Sequence, residues 1–326
     1  MDNYIIRKVE EKDCDALVNL YCQVWPHLSS IHQQKAEFVI KHSQGVSFCA
    51  EKDGKIVGSR TSFFMPVYYG SRKLNCVQFA DSCIHDSCRR QGLFLKLNEA
   101  FLHDFFEENK GELVFNISVD ASRNAYEKLG WKYIRSLMSF TKVVNPVKTM
   151  LKIGFDLRKM HGSTTLVSVE NNFEVDNDLF VVRNNLLKEQ NKIYVNYDYE
   201  TLMWKLKASK GARCFSIPQL GTVIYKVEMK KDSNLKVIRL GDIFLYDYSI
   251  KSIKRMEKML CYKELPNLIV GYFSEGHPLF SYYIRKNLFT KVTPLNHGVK
   301  VISKEMQNIC YNPCNWAISA LDIDTF

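Results

Sequence analysis

A candidate anion-binding turn stands between a strand-like stretch and a long helical pattern. The segment from Arg89 to Phe94 reads Arg-Arg-Gln-Gly-Leu-Phe. Backbone N–H groups at the start of a helix point outward, and the helix dipole favours an anion there. Gly92 would let the backbone approach such a ligand closely. The sequence therefore predicts a phosphate-binding turn, with an ordinary strand-to-helix turn as the alternative.

The elements that must position this turn form a mixed pattern of helices and strands. Alternating and helical spacings of apolar residues predict the order β-α-β-β-β-α-β-α-β over the first half of the chain. This order is typical of a mixed α/β layer and not of a doubly wound dinucleotide fold. The predicted strands are 4–8, 46–50, 56–66, 75–85, 113–119 and 132–143, and the predicted helices are 13–25, 93–109 and 122–129.

The second half of the chain echoes the first. Residues 144–165 lose the strand rhythm, and Asn145-Pro146 and Gly162-Ser163 favour a connection there. Beyond it, a hairpin at 214–227, a strand at 235–245, a helix at 250–260, a strand at 267–273, a helix at 278–287 and a strand at 288–292 repeat the β-β-β-α-β-α order. No Arg-x-x-Gly follows the strand at 235–245. We therefore predict an α/β (α+β) chain with two mixed-sheet domains in tandem, 1–145 and 166–326, joined by 146–165, the second without a phosphate turn.

Composition and charge exclude several classes of function. No stretch of about 18 apolar residues occurs, and the N-terminus lacks a secretory layout, so we expect a cytoplasmic protein without membrane insertion. The ten cysteines form no disulfide framework, and the close pair Cys310 and Cys314 has no second half of a zinc site, so we expect no metal. The net charge is +10, of which +2 falls in residues 1–143 and +8 in residues 144–326. No basic run or RNA-binding signature accompanies the charge, which favours a solvated surface or a small polyanionic ligand over nucleic acid.

The segment around the turn resembles the pyrophosphate loop of the GNAT acetyltransferase superfamily, whose pattern is Gln/Arg-x-x-Gly-x-Gly/Ala. Arg89 and Gly92 match the pattern, and Phe94 departs from its last small position. Downstream, Tyr126-Glu127-Lys128-Leu129-Gly130-Trp131 is similar to the Tyr-Glu-Lys-x-Gly-Phe ending of that family. The resemblance covers residues 4 to about 143. It implies acetyl-CoA or another short acyl-CoA as co-substrate.

The resemblance also implies roles for individual residues. Asp81 would be the base that deprotonates the amine, directly or through a water, and Tyr126 would protonate the leaving thiolate. The alternatives are a carboxylate paired with a basic neighbour and a tyrosine packed under the sheet. The backbone N–H of Ile84 would face the thioester oxygen, and a covalent route through Cys83 or Cys88 lacks a supporting histidine. The residues expected at the CoA site are Cys83, Ile84, Arg89, Arg90, Gln91, Gly92, Leu93, Phe94, Asn116, Ser118 and Ser122.

The layout of the whole chain resembles bacterial N-acyltransferases that modify nucleotide-linked amino deoxysugars. The resemblance rests on length, domain order and the ending Trp316…Asp322-x-Asp324. It implies direct attack by the amine of a dTDP- or UDP-linked sugar in a ternary complex, in a cleft between the domains of a monomer or homodimer. The residues expected at the acceptor site are Trp25, His27, Trp316 and Asp324. The alternatives are an aminoglycoside, polyamine or peptide amine, an aminoacyl-tRNA donor, which the loop argues against, and a non-catalytic CoA sensor.

Overall fold

Segments from distant parts of the sequence build each of two units. The computed structural model describes residues 4–26, 33, 36–37, 39–118, 122–135, 137–160, 163–167, 173–209, 211–285, 290–292 and 295–323. The first unit comprises Met1–Val67, Lys73–Ile134 and Pro294–Asn312. The second comprises Tyr68–Arg72, Arg135–Thr293 and Pro313–Phe326. The predicted division at residues 145 and 166 is therefore wrong in detail, because each unit takes residues from beyond it.

The first unit is a twisted mixed sheet with helices. Its elements, numbered along the whole chain, are β1 Ile5–Lys8, α1 Cys14–Val24, β2 Gly45–Lys52, β3 Lys55–Phe64, β6 Cys76–Ile84, α2 Leu93–His103, β7 Leu113–Ser118, α3 Arg123–Lys128, β8 Lys132–Ile134, β17 Asn296–Val301 and α9 Lys304–Cys310. The strand order is β1-β2-β3-β6-β7-β17-β8. Only the β6–β7 pair among these neighbours is parallel in the described part of the sheet. Two short strands, β4 Val67–Tyr69 and β5 Arg72–Lys73, lie between β3 and β6 in sequence.

Helix α2 packs its apolar stripe on this sheet. Leu93, Leu97 and Phe101 recur at helical spacing, and each is at most 1% exposed. The ring of Phe101 meets Phe79 edge-on at 4.8 Å and Phe48 at 5.7 Å. Such aromatic contacts contribute about 0.5–1.5 kcal/mol each beyond the area that they bury. The helix that follows the turn is therefore fixed firmly against the centre of the sheet.

From β12 onward the second unit follows the predicted order. Its elements are β9 Leu137–Val143, α4 Pro146–Ile153, β10 Thr164–Leu166, α5 Asn177–Glu189, β11 Ile193–Val195, α6 Tyr199–Ala208, β12 Ala212–Ile217, β13 Gly221–Lys230, β14 Lys236–Leu245, α7 Ile250–Glu264, β15 Leu268–Ser274, α8 Phe280–Tyr283 and β16 Thr290–Val292. The strand order is β10-β13-β14-β15-β9-β16, and β12 pairs with β13. The hairpin, strand, helix and strand predicted for 214–273 are confirmed, and so is the α/β class with two mixed-sheet domains.

The predicted single strand at 132–143 is wrong. Residues 132–134 form β8 of the first sheet, whereas β9 lies between β15 and β16 of the second. In β9, Phe140 is 2% exposed and stacks on Tyr283 at 4.6 Å and on Phe273 at 5.8 Å. The place in the first sheet next to β8 is taken by β17, which pairs with β7 on its other side. The apolar partners of β9 thus determine which sheet it joins, although β8 is its neighbour in the sequence.

No helix in the described part of the chain is long and apolar enough to cross a membrane.

A buried histidine makes the first unit sensitive to acid. His297, in β17, is 1% exposed, and burial lowers its pKa from 6.5 to about 3. Between these values the unfolded chain binds a proton that the folded chain does not, so stability falls as the pH falls below about 6.5. We predict that, between pH 7.5 and pH 5, the free energy of unfolding of the wild type falls by about 2 kcal/mol more than that of His297→Gln. Denaturant unfolding of both proteins at the two pH values measures this difference, and equal losses would contradict it.

Candidate active site

The predicted turn has the conformation that an anion site requires. Strand β6 ends at Ile84, and α2 begins at Leu93 directly after Gly92, whose φ of 76° lies in the left-handed region. Arg90 also has a positive φ, of 63°. The first N–H groups of an α-helix have no acceptor within the helix, so those of α2 are available to a ligand. The side chain of Arg89 is half exposed and pairs with Asp86 at 2.6 Å.

The corresponding helix of the second unit begins differently. Helix α7 is capped by the Ser249 hydroxyl, which accepts from the N–H of Ser252 at 3.3 Å. The carboxylate of Asp247 accepts from the N–H of Ser249 at 3.0 Å and from the Ser252 hydroxyl at 2.8 Å. A side chain of the protein therefore occupies one of the first N–H groups of α7, whereas no side chain caps α2. This contrast agrees with a phosphate turn in the first unit alone.

The first sheet opens beside the turn. The parallel pairing of β6 with β7 joins Cys76 to Leu113, Val77 to Val114 and Gln78 to Phe115. Among the described residues, the pairing of β6 with β7 ends at Gln78 and Phe115. The later parts of the two strands, Phe79–Ile84 and Asn116–Ser118, thus diverge. Such a slot has the form that an extended ligand arm needs. Asn116, which was predicted to line it, is 4% exposed.

A β-bulge places Asp81 at this opening. Arg60 pairs with Ser82 and Ser62 pairs with Phe79, so that Thr61 alone faces Ala80 and Asp81. A bulge re-aims side chains and is frequent beside active sites. Asp81 is 8% exposed.

Tyr126 lies under the turn. It is 2% exposed, and its ring meets Phe94, at the start of α2, at 5.4 Å and Phe79 of β6 at 6.4 Å. The guanidinium of Arg60 donates from Nη2 to the Tyr126 hydroxyl oxygen. This donation leaves the hydroxyl proton of Tyr126 for another acceptor. The structure therefore joins Tyr126 to the turn through Phe94 and to β3 through Arg60.

A buried hydroxyl network from α1, β2 and β3 reaches Cys83, two residues along β6 from Asp81. The Tyr21 hydroxyl is 2.8 Å from Thr61 Oγ1, and Ser47 Oγ is 2.9 Å from the same atom. Ser59 Oγ links Tyr21, at 3.4 Å, to the Cys83 thiol, at 3.5 Å. Burial raises the pKa of the Tyr21 phenol, and burial raises the pKa of Cys83 to about 12. Cys83 is therefore a neutral thiol near pH 7, which does not suit a nucleophile.

Two of the residues predicted at the acceptor site, Trp25 and Trp316, lie in the described part of the chain. Trp316 is 1% exposed inside the second unit, where its carbonyl accepts from the N–H of Gly276 at 3.0 Å. Because it is buried, Trp316 does not present its ring to an acceptor, contrary to the prediction. Trp25, in the first unit, stacks on Tyr21 with ring centres 5.6 Å apart. His27 and Asp324 lie outside the described residues.

The other residues of these motifs have the following places in the structure. Asp322, part of the ending that motivated the sugar hypothesis, is fully buried and accepts from the Tyr197 hydroxyl at 2.8 Å, which is a structural role. Ser122 directly precedes α3, and Ser118 ends β7. Gln91 accepts a hydrogen bond from the Tyr4 hydroxyl. In the described part of the chain, no cluster of three His, Cys, Asp or Glu side chains is arranged to hold a metal ion.

Sequence reasoning missed Arg60 and Asn98. Both are fully buried, and Arg60 Nε donates to Asn98 Oδ1 at 3.0 Å. The signal was present in β3, where Ser59, Arg60, Thr61 and Ser62 follow one another. A strand whose centre is polar on both faces does not fit an ordinary half-buried strand, because one face of that strand should be apolar. Such a run indicates a functional interior.

Comparison with known proteins agrees with this geometry. Residues 5–134 match the family model of an acetyltransferase (GNAT) domain, and no curated protein matches the sequence. The chain is similar in fold to a GCN5-related N-acetyltransferase from Kribbella flavida (10% identity, 92% of this chain, 72% of that chain, TM-score 0.63). It is also similar to a GCN5-related N-acetyltransferase from Anabaena variabilis ATCC 29413 (12% identity, 92% of this chain, 73% of that chain, TM-score 0.61). A third similar structure is Eis1 from Mycobacterium abscessus (12% identity, 93% of this chain, 74% of that chain, TM-score 0.53). Residues 5–134 therefore match a GNAT acetyltransferase domain, and over most of its length the chain shares the fold of the solved GCN5-related N-acetyltransferases.

Proposed function

We propose that the first unit binds an acyl-CoA and transfers its acyl group to the primary amine of a small molecule by direct attack in a ternary complex. The observation that carries this proposal is the turn before α2. Gly92 is in the left-handed conformation there, and a Cβ on it would meet no atom within 4 Å. The backbone therefore presents open space and helix N–H groups to a pyrophosphate.

The chemistry requires three things, and the site offers a group for each. The amine must be neutral when it attacks, which Asp81 would promote by accepting a proton, directly or through a water. The thioester carbonyl must be polarised, for which the N–H of Ile84 is the candidate. The C–S bond breaks as the C–N bond forms, and the sulfur must take up a proton. Tyr126 would supply that proton from its hydroxyl.

A nucleotide-linked amino sugar is the acceptor class that we propose. The net charge of +8 in residues 144–326 supports a ligand with a diphosphate. Charge-assisted contacts to phosphate contribute about 1.5–3 kcal/mol each. Other primary amines, namely aminoglycosides, polyamines and peptides, are the competing class.

A panel of acceptors tests this choice. The full chain is incubated with acetyl-CoA and, separately, a dTDP-amino sugar, a UDP-amino sugar, the free amino sugar, an aminoglycoside and a polyamine. Amide product is measured by mass spectrometry. We expect kcat/KM to be at least about tenfold higher for a nucleotide-linked sugar than for the free sugar, a difference of about 1.4 kcal/mol. Equal values for the two would contradict the nucleotide-sugar assignment and leave the acyl transfer intact.

A leucine at position 92 tests the donor site. The φ of Gly92 strains any side chain, and the new side chain would also enter the space that the pyrophosphate needs. We predict that Gly92→Leu weakens CoA binding by at least about 100-fold, measured by calorimetry, because several charge-assisted hydrogen bonds are lost together.

Gly54 provides a matched control. It lies in the β2–β3 turn with a φ of 72°, and a Cβ there would also meet no atom within 4 Å. Gly54→Leu should therefore carry a similar backbone strain, of about 1–2 kcal/mol, with unchanged CoA affinity. If both variants bind CoA alike, the turn is not the donor site.

A further inference from the structure

A fully buried arginine joins three parts of the candidate site. From β3, Arg60 donates Nε to Asn98 Oδ1 of α2 at 3.0 Å and Nη1 to the Ala80 carbonyl of β6 at 2.8 Å. Its Nη2 donates to the hydroxyl oxygen of Tyr126 on α3. One planar group thus fixes the relative positions of a strand, the helix after the turn and the helix that carries the proton donor.

Aromatic rings surround the same guanidinium. Its central carbon lies 4.2 Å from the ring centre of Phe79, 5.5 Å from that of Tyr126 and 5.8 Å from that of Phe94. A cation over aromatic faces is stabilised, more so when it is removed from water. The structure therefore maintains a positive charge at full burial beside one phenol, where a neutral side chain would be far easier to accommodate.

The bond to Ala80 reaches the β-bulge. Ala80 and Asp81 both face Thr61, so the regular ladder is interrupted at this point. Arg60 supplies a donor to the Ala80 carbonyl, next to Asp81. The same side chain that contacts Tyr126 thus also supports the backbone that carries the candidate base.

We propose that Arg60 is a positioning residue for acyl transfer and acts through Tyr126. Because Nη2 occupies the phenol oxygen, the hydroxyl proton is directed to the leaving sulfur. When Tyr126 has given its proton to the thiolate, the guanidinium stabilises the phenolate that remains, and the phenolate regains a proton from solvent after the products leave. This inference rests on the proposed function of Tyr126.

Cys88 and Tyr133 are ionisable groups of the buried cluster that contains Tyr126. Among the described residues, Asp81 and Cys83 belong to β6, which packs against it through Phe79. On its own helix, Arg123 and Glu127 are exposed and pair with each other at 2.8 Å. Arg60 is therefore the charge in direct contact with the phenol.

A double-mutant cycle tests the inference. Arg60→Gln, Tyr126→Phe and the double variant are compared with the wild type in kcat, KM for acetyl-CoA and pH–rate profile. In the wild-type background we expect Arg60→Gln to lower kcat about 10- to 100-fold with little change in KM. The alkaline limb of the profile should move to higher pH, because a neighbouring cation favours the ionised form of an acid. In the Tyr126→Phe background, Arg60→Gln should lower kcat by less than about twofold, since the hydroxyl through which Arg60 acts is absent.

Further variants separate charge from packing. Arg60→Lys retains the charge, so its alkaline limb should lie close to that of the wild type. If Arg60→Gln fails to fold, as judged by its melting, Asn98→Leu removes the acceptor of Nε and should lower kcat in the same direction. Equal costs of Arg60→Gln in both backgrounds, or an unmoved alkaline limb, would overturn the inference. Wild-type turnover by Tyr126→Phe alone would instead overturn the proposed role of Tyr126.

Discussion

Replacing Tyr126 by phenylalanine should lower kcat by about 10²–10⁴-fold, with a much smaller change in KM for acetyl-CoA. The ring contacts with Phe94 and Phe79 would remain, and only the hydroxyl that receives the Arg60 hydrogen bond would be lost. A group that acts only as the thiolate leaves contributes to the transition state and not to donor binding, so the effect should fall on kcat. Steady-state kinetics measured through release of free CoA thiol provide both constants.

Stability must be separated from catalysis in this variant. The lost hydroxyl leaves a buried donor of Arg60 without that acceptor, which costs about 1–3 kcal/mol of folding free energy. Rates should therefore be compared well below the melting temperature of the variant. Tyr311→Phe is a matched control, because Tyr311 belongs to the same unit and its ring, which lies 4.8 Å from Lys132 Nζ, would be retained. If Tyr126→Phe turns over like the Tyr311 variant, Tyr126 has a packing role only.

Truncation after residue 145 should abolish folding of the first unit. The truncated chain lacks β17, which pairs with six residues of β7 and three of β8 in the sheet. Removing an interior strand leaves β7 with an unpaired edge and exposes buried residues such as Phe115 and Ile117. We predict that residues 1–145 show no cooperative thermal transition by circular dichroism and do not bind CoA.

A fusion should restore what the truncation removes. Ile134 of β8 is the direct antiparallel partner of His297 of β17, so a short turn can join the two strands as a hairpin. Residues 1–134 followed by a short Asn-Gly-containing turn and residues 296–312 should then melt cooperatively and bind CoA. Cooperative folding of residues 1–145 alone would show that β17 is dispensable for this sheet.

Local sequence patterns were sufficient to predict the elements of the fold that are determined by residues close together in the chain. The turn around Gly92 was predictable, because glycine marks the left-handed position before a helix whose apolar stripe is unambiguous. The order of elements from 214 to 273 was predictable for the same reason, since long alternating and helical patterns are hard to mistake.

Long-range pairing was beyond the reach of the sequence patterns. β8 and β9 read as one strand, because the chain between them carries no strong break, yet they belong to different sheets. Phe140 of β9 finds its partners, Phe273 and Tyr283, more than a hundred residues away. No local pattern states which sheet such a strand will join.

The site was predictable only as far as its motifs extended. Tyr126 and the turn were proposed from their motifs, whereas Arg60 was not, because a single arginine in a strand usually indicates an exposed face. Trp316 was misjudged for the converse reason. Aromatic residues serve both ligand stacking and core packing, and the choice between them depends on burial, which for Trp316 is nearly complete.

We propose that the first unit transfers an acyl group from CoA to an amine with the aid of the turn and Tyr126. The most direct test of this proposal is a single measurement on the full chain: release of CoA thiol and formation of amide, followed together with acetyl-CoA and the acceptor panel. We predict an amine-dependent release in a 1:1 ratio to amide for at least one acceptor, strongly reduced in Gly92→Leu at limiting acetyl-CoA and in Tyr126→Phe at saturation. Thiol release that is independent of amine, or that is the same in both variants as in the wild type, would contradict the account.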